Sequence, residues 1–500
     1  MNAAPDIDVD VLIVGAGISG LGAAYYLQRD LPGKSYAIVE ARGAIGGTWD
    51  LHRYPGTRSD SDLFTFGYEF KPWKGDPIAT AESIRAYLRE TADEYGIHER
   101  ISFHTTVIEA SWDTAEARWT VEVADTRSGQ RRRYRCAWLF AATGYYRYDQ
   151  GFTPEFPGRA DFEGAGGQVV HPQLWPSDLD YTGKKVVVIG SGATAVTLVP
   201  AMAGTAEHVS MLQRSPSYIV PLPARDTIAD VLRKVLPEQR AHELIRTKNV
   251  LMQRATWRLC QRYPGAARRV IRWMNARQLP PGYPVDEHFN PRYDPWDQRL
   301  CMVPDGDLFA AISAGTASVV TDTIDTFTST GIRLTSGEHL PADVVVTATG
   351  LNLQAFGGVD ITVDGRRVDT SETVAFKGMM LSDVPNLAFS IGYTNSSWTL
   401  KVGLLCEHFV RLVDHMDSHG YDTCAPALPN DLPTRPLLDF EAGYVLRALD
   451  KLPKQGPAFP WLTSRDYLAD VKLLRHGDIA DPNLRFATNA ERPSAVTPAM

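Results

Sequence analysis

One short pattern occurs twice in this chain of 500 residues, and it constrains the fold more than any other feature. An apolar run closes on a glycine-rich turn, and the turn opens into a helix-forming stretch. The first copy is residues 9–14 followed by Gly15-Ala16-Gly17-Ile18-Ser19-Gly20 and then "LGAAYYLQRD". The second is residues 185–189 followed by Gly190-Ser191-Gly192-Ala193-Thr194-Ala195 and an apolar helix through Ala203. Unbroken apolar runs predict parallel strands buried on both faces. In this order the first glycine permits the tight turn and the second lets the backbone approach a pyrophosphate. The third lets the helix pack close to the strand. Free N–H groups at the helix start then face the phosphates. The expectation is an α/β chain with two Rossmann-like dinucleotide-binding domains.

The next strand of each unit distinguishes the two sites. "SYAIVE" ends in Glu40, twenty residues beyond Gly20, where a carboxylate accepts both ribose hydroxyls. "HVSMLQRS" instead ends in Arg214 and Ser215. A carboxylate there would repel a 2′-phosphate, whereas an arginine pairs with it. The first turn therefore reads as an FAD site and the second as an NADPH site. An exposed strand-end arginine with no ligand is the alternative for Arg214.

Two further strands end in nearly the same word, "WLFAATGYY" with Gly144 and "VVVTATGLN" with Gly350. One precedes the second glycine turn and the other lies well after it. That order predicts an FAD domain interrupted by an NADPH domain. The expected division is 1–145 and 346–500 for the FAD domain with the C-terminal region, and 146–225 and 286–345 for the NADPH domain. A helical subdomain, 226–285, is inserted in the latter. Residues 226–277 are helical in period, basic, and rich in tryptophan and leucine, which fits a subdomain with a solvated charged face near the substrate entrance. A basic amphipathic helix resting on a membrane or partner is the alternative.

Composition narrows the setting. A net charge of −8 argues against a nucleic-acid binder. No apolar stretch approaches the roughly 20 residues that span a bilayer, so stable membrane insertion is not expected. "MNAAPDIDVD" lacks the basic and apolar regions of a signal peptide. Five scattered cysteines, Cys136, Cys260, Cys301, Cys406 and Cys424, form no Cys-x-x-Cys pair and no metal-ligand spacing, as expected of a cytoplasmic protein without a metal site. "APALPNDLPTRP" reads as a surface loop, and "NAERPSAVTPAM" as a frayed end.

Together these residues resemble the class B flavin monooxygenases, and within them the Baeyer–Villiger monooxygenases, over residues 8 to about 480. The family fingerprint, Phe-x-Gly-x-x-x-His-x-x-x-Trp-Pro, is met by Phe162, Gly164, His171, Trp175 and Pro176, with three extra residues, Ala165 to Gly167. Pro172 stands where most of the family has threonine. With "NPRYDPWDQRLCMVPDGDLF", this is most similar to the ethionamide-activating branch. The resemblance implies an FAD-containing enzyme that uses NADPH and molecular oxygen. It would convert ketones to esters or lactones, and sulfides to sulfoxides, through a flavin peroxide. His171 and Trp175 would couple domain position to cofactor binding, with no part as acid or ligand. In "GGTWDLHRYPGTRSDSD", Gly47, Thr48, Trp49 and Asp50 would contact the flavin cofactor. Arg58, Ser59 and Asp60 would lie at the FAD–nicotinamide junction, and Val107, ending the strand "ISFHTTV", would meet the adenine.

By the same resemblance Arg299 is the active-site arginine and Asp60 the carboxylate that positions it. A guanidinium keeps its protons and so stabilises both the peroxide anion and the tetrahedral adduct it forms. Gln298 replaces a lysine that in many relatives helps hold the 2′-phosphate, leaving NADPH preference mainly to Arg214. Two other functions remain in view. One is an N-hydroxylating or general heteroatom monooxygenase of the same class. The other is a flavoprotein without oxygenase activity, a disulfide reductase (which would need a dithiol,) or a redox-sensing module.

Overall fold

A computed structural model describes residues 6–298, 300–438 and 442–488. Arg299 and the C-terminal "NAERPSAVTPAM" lie outside the described residues.

Each glycine turn anchors its own sheet. In the first sheet Ile7–Val14 lies between Tyr36–Val39 and Arg131–Ala141, parallel to both. Beyond Arg131–Ala141 the chain meanders antiparallel through Arg118–Asp125 and Thr105–Asp113, and Asp360–Val363 then joins the edge. The strand Leu387–Phe389 also pairs with Arg131–Ala141, so the chain returns to this sheet after residue 350. The burial of these strands follows their patterning. Val11, Leu12 and Ile13 are all fully buried, covered on both faces. Trp119, Val121 and Val123 alternate with less buried neighbours, the mark of a sheet packed mainly on one face.

The second sheet is five-stranded and parallel throughout, in the order Ala317–Thr321, His208–Gln213, Lys185–Ile189, Val344–Thr347, Gln168–Val170. The Ala-Thr-Gly words now have a physical explanation. Gly15 has φ +108°, and a Cβ there would stand 2.7 Å from the Ala142 carbonyl oxygen; Gly190 has φ +133°, and its Cβ would stand 2.3 Å from that of Ala348. Ala142-Thr143-Gly144 and Ala348-Thr349-Gly350 thus leave equivalent strands, each passing tightly beneath a glycine turn.

The helices Thr227–Val235, Glu238–Arg262 and Pro264–Gln278 lie in sequence between two strands of the second sheet. The middle one nevertheless docks on the first domain. The buried guanidinium of Arg246 donates to the carbonyl oxygens of Phe64, Thr65 and Gly67, at 2.9–3.2 Å. Asn249 donates to Asp62 at 2.8 Å.

One sequence expectation fails locally. "ISFHTTV" is not one strand: Ile101–Ser102 ends at a turn where His104 takes φ 52°, and Thr105–Asp113 begins anew. Val107 is therefore the third residue of a strand, just before a break in register at Ile108.

Candidate functional site

Both glycine turns open on one cavity of about 960 Å³. It is lined by Gly15, Gly17, Ser19, Glu40, Gly47, Thr48, Trp49, Arg58, Ser59, Asp60 and Val107 from the first domain. Gly190, Ser191, Gly192, Ala193, Thr194 and Arg214 line it from the second. Gly20, Asp50, Ala195 and Ser215, expected as cofactor contacts, do not line it. A Cβ on Gly20 would stand 1.9 Å from the Gly15 carbonyl oxygen, so that glycine serves helix–strand packing. Ala195 is fully buried in the core of the second domain. Asp50 is spent on Arg42, at 2.7 Å, and on Arg53. Ser215 offers its carbonyl oxygen to the Ser191 hydroxyl, at 3.3 Å.

The donor sets fit dinucleotides. The helices Ile18–Asp30 and Ala193–Met202 both start at a glycine, and no side chain caps either one, so their first N–H groups are left for an anion. Beside the first, Glu40 accepts the backbone N–H of Ala16 and of Arg42, each at 2.8 Å. Burial pushes its carboxyl up, opposed by those two hydrogen bonds. Arg214 is exposed and has no carboxylate partner among the described residues. Gln298 also lines the cavity.

The loop from Arg53 to Asp60 crosses between the domains. Tyr54 packs against the core of the second domain. Gly56 passes so close to the helix Ala193–Met202 that a Cβ would lie 2.7 Å from that of Ala201. Arg58 then forms an ion pair with Asp307, 2.5 Å away. The Ser61 hydroxyl reaches the Asp60 carboxylate at 3.4 Å.

His171 lies where the chain crosses twice between the two sheets. The segments 145–152 and 349–354 run side by side: Arg147 donates to Asn352 O, Phe152 to Gly350 O, and Gln354 to Tyr145 O, at 2.9–3.1 Å. His171 Nδ1 accepts the Gln173 N–H at 3.1 Å, which leaves Nε2 to donate to Gly350 O, also at 3.1 Å. The ring is thus a neutral clasp across both interdomain crossings, and burial lowers its pKa. Phe162 of the fingerprint is fully buried and meets Phe327 edge to face. Of the nearby glycines, Gly167 lies against the Phe162 ring, where a Cβ would stand 2.5 Å away, whereas Gly164 has open space. The extra residues therefore move the sterically required glycine to 167.

Several cavity residues had no sequence signal. Trp398 donates its indole N–H to Ser19 at 3.2 Å and stacks on Tyr145, their rings 5.2 Å apart. Tyr393 donates to the buried Asp470 at 2.6 Å, and Asp470 also holds the buried ammonium of Lys401 at 2.9 Å. His52 lines the cavity and is lowered to about 4, first by burial and then by His171 and Arg42 nearby.

Residues 9–250 match the family model described as pyridine nucleotide-disulphide oxidoreductase. The full chain is more informative. It is 54% identical to the FAD-containing monooxygenase EthA of Mycobacterium tuberculosis, across 98% of this chain and 99% of that one. The chain belongs to the FAD-containing monooxygenases. It is also 49% identical to the probable FAD-binding monooxygenase AlmA of Acinetobacter baylyi, over 96% of both chains. Among solved structures it is similar to an oxidized steroid monooxygenase bound to NADP, with a TM-score of 0.75 at 21% identity, covering 96% of this chain and all of the other. A cyclohexanone monooxygenase bound to ε-caprolactone gives 0.73 at 19% identity, with the same coverage. The fold of this monooxygenase is therefore that of the Baeyer–Villiger enzymes. The disulphide oxidoreductase match reflects the shared dinucleotide architecture: all five cysteines are buried, and among the described residues Cys301 alone of them lines the cavity, so no dithiol faces it.

Proposed function

We propose that this monooxygenase uses NADPH and molecular oxygen to convert ketones to esters or lactones and sulfides to sulfoxides, in the cytoplasm. The observation that carries the reading is the single cavity onto which both glycine turns open, with Asp60 between them. FAD in the first site supplies the chemistry of oxygen activation when reduced. The first turn, Glu40 and the strap Gly47–Trp49 hold the flavin cofactor. The second turn and Arg214 hold the nicotinamide cofactor, with Arg214 selecting the 2′-phosphate. Arg58, fixed by Asp307, keeps the interdomain loop in place. Arg299 stabilises the negative charge that develops on the attacking and attacked oxygens, and Asp60 orients it. His171 donates no proton to substrate, because its N–H is committed to Gly350 O.

The test is purified enzyme with NADPH and a panel of ketones and thioethers, with products resolved by mass. Gain of one oxygen atom by ketones is expected. Arg299→Ala should lower ester formation by several orders of magnitude while FAD stays bound and some NADPH is still consumed, releasing hydrogen peroxide. Sulfoxidation, which forms no tetrahedral adduct, should suffer less. Oxygen gain by amines or sulfides alone would assign the heteroatom chemistry instead, and normal ester yield in the mutant would remove Arg299 from the mechanism.

A further inference from the structure

Apolar exposure in this molecule is concentrated in one place. Of the sixteen large hydrophobic residues that are exposed among the described residues, ten lie between Ile228 and Trp273, nine on the three inserted helices and Tyr263 at the joint between the last two. On Glu238–Arg262, Leu244, Leu251 and Leu259 follow at intervals of seven and eight, so they share one face. Tyr263, Val270 and Trp273 continue the surface onto Pro264–Gln278, and these six are 48–61% exposed. Burying them would repay association, and patches of this kind mark contact surfaces.

Charge selects the partner. Residues 226–278 hold twelve Lys and Arg against four Asp and Glu, a net of +8, while the rest of the chain carries −16. Several of these cations are already matched: Lys248 with Asp226, Arg254 and Arg258 with Asp466, Arg272 with Asp286. Lys234, Arg240, Arg262, Arg269 and Arg277 meet no carboxylate among the described residues. Arg262 lies over the Tyr263 ring and Arg277 over the Trp273 ring, at 5.5 and 4.9 Å, so cation and aromatic group are presented together. A two-fold contact with a second copy would set +8 against +8. A nucleic acid would leave the leucines and Val270 without use.

We infer that the outer face of the helices 227–278 docks on an anionic lipid surface, lying in the headgroup region without spanning it. The combination of exposed aliphatic and aromatic anchors with basic side chains is that of an interfacial helix. No helix among the described residues is long and apolar enough to cross a membrane. The docking face has a second property: its other side touches the cavity wall. Val250, next to the outward Leu251, packs with Tyr393, and Gln253 accepts from the Ser396 hydroxyl at 2.9 Å. Tyr393 and Ser396 both line the cavity. Docking therefore places the helix that backs the cavity wall against the phase in which apolar substrates dissolve.

The experiment is flotation of the FAD-loaded, full-length enzyme with vesicles of phosphatidylcholine alone or of phosphatidylcholine with phosphatidylglycerol. Binding to the second kind only, falling with added salt, is expected. Each cation near an anionic surface changes partitioning by about fivefold. Arg269→Gln with Arg277→Gln should therefore lower it more than tenfold, and Leu259→Glu with Trp273→Glu should abolish it. Flavin content and NADPH oxidation with a water-soluble thioether should stay at wild-type values, since none of these residues lines the cavity. If either double variant failed to fold, the salt titration on wild type would still decide. Absence of binding to anionic vesicles, binding unaffected by the variants, or a concentration-dependent oligomer dissolved by Trp273→Glu would each overturn the inference.

Discussion

The two glycine turns are built on the same plan, yet one is closed and the other open. A Cβ added at Gly17 would stand 3.7 Å from Gly47, because the strap Gly46–Asp50 folds over the first turn. A Cβ at Gly192 would meet nothing within 4 Å. Glu40, beside the first turn, is buried; Arg214, beside the second, is exposed. A covered site with a desolvated carboxylate suits a cofactor that stays bound through every turnover. An open site with an exposed cation suits one that arrives and leaves each cycle. On the proposed assignment the same local sequence serves a resident group and a cosubstrate, and the difference lies in what surrounds each turn.

The sharpest way to break this comparison is to exchange the third position. In the first turn, Gly20→Ala drives a methyl into the Gly15 backbone, at 1.9 Å, where no flexible side chain can yield. Purified Gly20→Ala should be colourless or insoluble. The second turn already carries alanine, and Ala195→Gly should cost only about 0.5–1 kcal/mol, as glycine does in a helix. Flavin absorbance of the two purified variants checks this. A stable yellow Gly20→Ala would show that the two turns are equally spacious.

The dryness of the first site can be read from pH. His52 lines the cavity there, and its pKa of about 4 lies below the 6.5 of an unfolded chain. Above pH 6.5 both states are neutral. As pH falls from 6.5 toward 4, the unfolded chain takes up a proton that the folded one refuses, so stability is lost with acid. The slope is about 1.4 kcal/mol per pH unit, and the whole contribution about 3 kcal/mol. His52→Gln should flatten that part of the stability profile, measured by denaturant unfolding at several pH values. An unchanged profile would mean that water reaches the ring.

Most of the architecture was legible because it is local. Strand, turn and helix of each dinucleotide unit are adjacent in sequence, and their periodicity and glycine spacing follow from backbone geometry alone. The helical segment was legible for the same reason. What joins the two units was not. Arg58 and Asp307 are 249 residues apart, and Ser19 and Trp398 are 379 apart. No periodicity connects such pairs. The break after Ser102 depended on His104 taking a left-handed conformation, which histidine adopts more often than most residues but still in a small minority of cases. The fingerprint positions of His171 and Phe162 came from family resemblance, whereas the hydrogen bond of one and the ring contact of the other exist only in the folded chain.

For the open site the expectation is selectivity rather than occupancy. Arg214→Ala should raise the KM for NADPH roughly ten- to a hundredfold, as the loss of a charge-assisted pair of about 1.5–3 kcal/mol requires. The KM for NADH should hardly change. FAD content should be untouched, which separates this site from the closed one. Equal effects on both cofactors would show that Arg214 does not meet the 2′-phosphate.

The smallest effect concerns Gln298, which lines the same cavity and carries no charge. Gln298→Lys adds a second cation near the expected 2′-phosphate without removing any packing. Because the site is open to water, the gain is that of a solvated ion pair, about 0.2–1 kcal/mol. That corresponds to at most about a fivefold lower KM for NADPH. It should shrink further as salt screens it, and NADH should again be indifferent. Steady-state kinetics with both cofactors at low and high ionic strength would show this. A gain much larger than fivefold, insensitive to salt, would mean that the second site closes over its cofactor as the first does, and the contrast between the two turns would fall.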